Sequence, residues 1–224
     1  GIVSIQDKEV TLADVNRVIE MAQAVNIPMD EQVLHVLEQE FSVDAHEGIK
    51  EPIGMSGTKL EVRVHIVTAS ASAVENVGRC IRRCGLAVNE QMLAALASGS
   101  ACLTPDEKEL GVALVDIGSG TTDVVIYTGG AVRYTRVIAI GGDQITSDLA
   151  TMLRTPLPHA EDIKIRYGVA REAIASTKEL IEIPGLGDRP SHQVKRHTLG
   201  AVIEPRVEEL FQLIQHSLSE SGFE

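Results

Sequence analysis

The sequence predicts an α/β protein built from more than one module, on three observations. Residues 111–117 (GVALVDI) are a near-continuous apolar run, the mark of a buried strand. Around that run, stretches with apolar residues at helical spacing are interleaved with stretches that alternate with period two. The length of 224 residues is long for one core and ordinary for two.

Residues 2–5 read as a short strand. In 11–25, Leu12, Val15, Val18, Ile19 and Ala22 recur at helical spacing, and Asp14 gives the acidic first turn that suits a helix N-terminus. Residues 32–43 are rich in β-formers, and 60–67 alternate strictly, with Leu60, Val62, Val64 and Ile66 on one face and Glu61, Arg63 and His65 on the other. A loop around Pro52, Gly54 and Gly57 joins them, so the block reads strand, helix, strand, strand. Residues 71–84 form an amphipathic helix with Ala73, Val74, Val77, Cys80, Ile81 and Cys84 on one face and Gly85 as its cap, which assigns both cysteines to the core. An Ala- and Leu-rich helix is expected at 91–103, then a polar break, TPDEKE, near a domain boundary.

The buried strand turns at GSGT (118–121) into TDVVIYT (122–128), and Gly129-Gly130 turn the chain again into 132–140, a three-strand meander. Gly141 and Gly142 precede a helix at 143–153 with Asp143 as N-cap and Ile145, Leu149 and Met152 inward. After Pro156 and Pro158 come a helix at 159–167, a second running on to 178, a strand at 180–184 and a Gly/Pro loop. The last helix, 198–218, is expected to be long and exposed, with Leu199, Ile203, Val207, Leu210, Ile214 and Leu218 on one stripe and a kink or late start at Pro205.

Composition excludes several functions. The net charge is −12 without a Lys/Arg cluster that could follow a phosphate backbone, so no nucleic-acid partner is expected. No apolar run approaches the ~20 residues of a membrane-spanning helix and no signal peptide is seen, which points to the cytoplasm. Three cysteines read as reduced thiols, and neither they nor the seven histidines have metal-ligand spacing.

The chemistry concentrates in Asp116-Ile-Gly-Ser-Gly-Thr-Thr-Asp123. A buried strand brings Asp116 to its end, and Gly118, Ser119, Gly120, Thr121 and Thr122 form a turn whose N–H groups can cradle phosphate oxygens. A carboxylate beside phosphates makes sense with Mg²⁺ or an attacking water to hold, the role assigned to Asp116. Taken alone, such a turn is also a plain hairpin. It is not a P-loop, for there is no GK[ST], nor a GxGxxG fingerprint. Gly141-Gly142-Asp143 opens a helix whose end can face an anion, or simply turns and caps. Glu161 and Lys164, three apart, share a helical face and alone would be read as a surface ion pair.

In this order, DIGSGTTD, GGDQIT and AEDIKIRYG resemble the second phosphate loop, the Gly-Gly helix and the adenosine-contacting Glu-x-x-Lys of the actin, Hsp70 and sugar-kinase superfamily. Within it the chain is most similar to the FtsA family, through HVLEQEFSVDAHEGIKEPIGMSG, LASGSACLTPDEKELGVALVDIGSGTTD and VIEPRVEEL. Ser119 stands where many relatives have a third glycine. The resemblance implies an actin-like ATPase fold with an inserted strand-helix-strand-strand subdomain at 1–85, a return to the first lobe at 86–110, a second-lobe core at 111–153 and its outer subdomain at 154–224. It further implies ATP and Mg²⁺ as cofactors, self-association and contacts with later division proteins through the insert, and docking of the C-terminal tail of the tubulin-like protein FtsZ on Arg206 and Glu209.

The implied setting is the cytoplasmic face of the inner membrane at the septum, reached through a C-terminal amphipathic helix. That helix, the first phosphate loop and the later adenosine loop are not found here, so the chain reads as a central fragment with half a nucleotide site. At most a weak Mg-ATPase is expected of the parent, and an inactive fragment. A phosphotransferase or chaperone-type ATPase on the same fold is the alternative, which would need a catalytic base that the sequence does not offer. A purely structural module is a third reading.

Overall fold

The structure, a computed structural model, describes residues 1–223. Its contacts divide the chain into two units, Gly1–Leu114 with Val125–Thr135 and Val115–Val124 with Arg136–Glu224.

The first unit opens with β1 (Ile2–Ser4), α1 (Leu12–Gln23), β2 (Glu31–Val43), β3 (His46–Ile49) and β4 (Lys59–Ser70). The strands form one antiparallel sheet in the order β1-β4-β2-β3. Helix α1 begins in a capping box. The Asp14 amide donates to Thr11 Oγ1 at 3.3 Å, and the Thr11 amide donates to Asp14 Oδ2 at 3.0 Å. Its inward face, Val15, Val18 and Ala22, packs on Phe41, Val43, Leu60 and Val62. Strand β3 was not expected, because a four-residue strand that follows left-handed Asp44 and contains left-handed Gly48 reads locally as a turn.

Helix α2 (Ala71–Arg83) lies where the periodicity placed it, but its buried residue is Gly78. Val77 is 59 % exposed, and Cys80 and Cys84 are exposed rather than in the core. Periodicity tells which side of a helix is apolar; which side is covered depends on what packs there. Helix α3 (Ala94–Cys102) starts later than expected, and the supposed polar break is a short helix, α4 (Pro105–Leu110). Thr104 and Glu107 make its capping box with Pro105 in the first turn, a start signal that the charged residues hid.

Strands β5 (Val112–Ile117), β6 (Thr122–Thr128) and β7 (Ala131–Ile138) form the expected meander in the order β5-β6-β7, with Gly129 and Gly130 both at positive φ in its second turn. The chain passes from one unit to the other within these strands. In the first unit Ala95 and Leu96 pack with Val125, Tyr127 and Val132, and Leu37 of β2 joins them.

The second unit continues with α5 (Gly142–Leu153), α6 (Leu157–Tyr167), a 3-10 turn at Glu172–Ile174, β8 (Leu180–Ile183), β9 (His192–Lys195) and α7 (Arg196–Ser221). Gly141, not Asp143, is the N-cap of α5, and Met152 is exposed. The helix expected to reach 178 is only the 3-10 turn, and the polar strand β9 went unseen because its pairing with β8 is its sole strand signal. Helix α7 runs through Pro205, which removes one N–H without ending the helix. It is not an exposed helix along its stripe: Leu199 and Ile203 are buried against Leu149, Leu153, Ala160 and Ile163, and Leu210 and Ile214 against Val124 and Ile138.

Candidate functional site

The turn after β5 is closed by the Gly118 amide, which donates to Thr121 O at 2.9 Å. Its carbonyls face the start of α5: the Gly142 amide donates to Gly118 O at 3.0 Å and the Asp143 amide to Ser119 O at 2.7 Å. The Gly141 amide donates to Gln144 Oε1 at 2.8 Å. A Cβ on Gly141 would stand 2.5 Å from both Gly118 O and Ser119 O, so only glycine permits this approach. The Gly-Gly helix end is thus engaged in gripping the turn, and its first amides are not open to an anion. Gly120 faces open space, with nothing within 4 Å of where a Cβ would be.

Lys164 reaches the same place from α6. Its Nζ donates to Gly142 O at 3.0 Å and to Thr146 Oγ1 at 2.8 Å, and pairs with Glu161 Oε2 at 2.7 Å. Thr146 Oγ1 also bonds to Glu161 Oε2. The hydrogen bonds from Lys164 and then Thr146 hold the Glu161 carboxyl below the usual glutamate range. Asp143, Thr146, Ser147, Leu157, Pro158 and Glu161 line an adjoining open cavity of about 470 Å³, within the range of small-ligand sites. The structure therefore brings Gly118, Ser119, Gly141, Gly142, Glu161 and Lys164 together around the first turn of α5.

Two residues of the motif behave differently from expectation. Thr122 is fully buried, and its hydroxyl donates to Ile140 O at 2.8 Å, so its side chain serves the sheet. Asp123, to which the sequence reading gave no role, is 8 % exposed. Burial pushes its carboxyl above the usual range, the bond from Thr121 Oγ1 at 3.3 Å opposes this, and the negative charge of half-buried Asp116 adds to the rise. Two neighbouring carboxyls, with the charge of Asp116 adding to the cost of ionising Asp123, suit a cation. They do not hold one alone: among the described residues no cluster of three or more His, Cys, Asp or Glu could do so. Oxygen ligands from phosphate and water would complete the shell that Mg²⁺ prefers, so the residues fit such a metal arriving with a nucleotide.

On α7, Arg206 makes a two-pronged pair with Asp148 of α5, Nε to Oδ2 at 2.7 Å and Nη2 to Oδ1 at 3.2 Å, and also bonds to Glu209. The Arg206 side chain is 28 % exposed and that of Glu209 48 %. The expected partner contact is thus first a tie between two helices.

The family described as "SHS2 domain inserted in FTSA" matches residues 1–68, and that described as "Cell division protein FtsA" matches residues 113–220. The chain is 53 % identical over all its 224 residues to cell division protein FtsA of Pseudomonas aeruginosa, of which it covers 54 %. It is 44 % identical over 218 residues to the Escherichia coli protein of that name, covering 97 % of this chain and 52 % of that one. The chain spans about half the length of the curated relatives it matches. Among solved structures it resembles the PilM-PilN type IV pilus biogenesis complex, at TM-score 0.59 and 20 % identity over 97 % of this chain and 54 % of that one. It also resembles MreB 5 of Spiroplasma citri bound to AMPPNP, at TM-score 0.52 and 20 % identity over 67 % of this chain and 46 % of that one. At such identities the likeness shows the fold, which is actin-like.

Proposed function

The chain belongs to the FtsA family of cell-division proteins, and on that premise we propose that it serves as an actin-like adaptor that binds ATP with Mg²⁺, self-associates and holds the C-terminal tail of FtsZ at the cytoplasmic face of the inner membrane. The observation that carries the nucleotide part is the joining of the 118–121 turn, the first turn of α5 and the Glu161–Lys164 pair beside one cavity. In this reading the turn's open side at Gly120 receives phosphate, Asp116 and Asp123 lie toward the metal, and Glu161 and Lys164 border the nucleoside. Bound Mg²⁺ would screen the phosphate charge. Residues 1–85 carry self-association and contacts with later division proteins. Arg206 and Glu209 meet the FtsZ tail, Glu209 directly and Arg206 in competition with Asp148.

The test is calorimetric titration of ATP with Mg²⁺ into a chain extended to the full length of its relatives, as wild type and as Lys164→Ala. We expect affinity to fall by about tenfold or more in the variant, because a charge-assisted contact and the brace of the α5 turn are both removed. Equal affinities would remove Lys164 from the site. The 224-residue chain by itself should bind weakly or not at all.

A further inference from the structure

The face of the β2–β4 hairpin that carries His35 and His65 meets α3 and β7 through polar contacts that the nucleotide reading does not use. The Leu93 amide, at the start of α3, donates to His35 Nε2 at 3.0 Å. His65 Nε2 lies 2.9 Å from Thr135 Oγ1 of β7, and Gln39 Nε2 donates to Val132 O at 2.9 Å. His35 pairs with Val67 and Leu37 with His65, so the two imidazoles are diagonal neighbours on one face of the sheet. Leu37, between them, packs on the Ala95, Leu96, Tyr127 and Val132 cluster.

A backbone N–H can donate only to an unprotonated ring nitrogen, so the Leu93 contact fixes His35 as a neutral ring with its proton on Nδ1. Burial pushes His65 below its ordinary value of 6.5. The charged groups of the surrounding elements are largely engaged. Glu40 of β2 pairs with Arg63 of β4 and Arg133 of β7, and Glu75 of α2 with Arg79 and Arg82. Lys108 lies over the Tyr127 ring. Helix α3 has no charged residue, Tyr134 and the exposed Arg136 flank Thr135 on β7, and Glu38 of β2 and Glu90 ahead of α3 are exposed.

We propose that His35 and His65 form a proton-operated latch: with both rings neutral the β2–β4 hairpin is fastened to α3 and β7, and as they protonate it lets go. Protonation turns His35 Nε2 from an acceptor into a donor facing another N–H, and it sets two cations side by side on a half-buried face. The sign follows from the unfolded chain binding more protons than the folded one below the ordinary histidine value. The fastening contributed by His65 is full above 6.5 and is lost as pH falls through its lowered folded value. The latch does not depend on the nucleotide or FtsZ readings.

The experiment is amide exchange and histidine-ring titration by NMR on the 224-residue chain, from about pH 8 to about pH 5, corrected for intrinsic exchange. Leu93 protection should fall by about tenfold in step with protonation of the His35 ring. In His35→Gln the side-chain oxygen accepts the Leu93 amide at every pH, so protection there should stay flat. Leu149, buried in the other unit, should stay flat in both chains. Leu93 protection that ignores the ring titration overturns the latch, and so does the same fall in His35→Gln. Should that variant not fold, the wild-type titration alone decides between the first two outcomes.

Discussion

The second unit holds two acid–base pairs spaced three apart on a helix, Glu161–Lys164 on α6 and Arg206–Glu209 on α7, and α5 supplies a third partner to each. At α6 the cation binds a backbone carbonyl and a threonine in the first turn of α5, next to the 118–121 turn, so the pair shapes a site. At α7 the cation is held by a carboxylate further along α5, and the acid is left half in water. The same spacing therefore yields a brace in one case and a tie with one exposed arm in the other. Spacing selects which side chains meet on a helix; the neighbouring helix selects what they do.

The contrast is broken hardest by Arg206→Glu, which sets a third carboxylate against Asp148 and Glu209. Loss of the two-pronged pair together with the new repulsion should cost about 1–3 kcal/mol in urea unfolding, and Asp148→Lys in the same chain should recover part of it. A wild-type unfolding midpoint in Arg206→Glu would mean that the tie has no weight.

A smaller effect distinguishes the α6 pair by pH. Because the folded Glu161 carboxyl sits below its ordinary value of 4.5, it contributes stability that is full above that value and is lost as pH falls through the folded one. Wild type should therefore exceed Glu161→Gln in melting temperature at neutral pH, and the gap should close in acid. A gap that persists unchanged to the lowest pH at which the chain stays folded would assign it to packing.

The smallest effect belongs to Glu209→Gln, which should change stability by no more than about 0.5 kcal/mol, since the acid is half exposed. Its affinity for a labelled FtsZ tail peptide, measured by titration, should fall by about threefold or more if the tail docks here. An unchanged affinity would place the docking face elsewhere.

By itself the sequence determined the elements whose cause is local. The apolar run of β5, the glycines that turn β5 into β6 and β6 into β7, and the period of α1 and α7 are written in adjacent residues, and the ordered motifs through Lys164 identified the actin-like relatives. The start of α1 was legible in the acidic first turn at Asp14, which the structure shows to be a capping box with Thr11. The Thr104–Glu107 box that starts α4, by contrast, is a local signal hidden among charged residues. Only the tertiary structure decided what has its cause at long range. Strands β3 and β9 exist through pairing, and the apolar side of α2 lies open because its unit meets the helix at Gly78. His65, read as the polar side of a strand, is half-buried against Thr135. The first amides of α5, which by sequence could face an anion or simply cap a turn, bond the turn at Gly118 and Ser119. In each case a hydrogen-bonding group or an apolar face takes whichever partner the fold brings to it, and neighbours in sequence do not specify that partner.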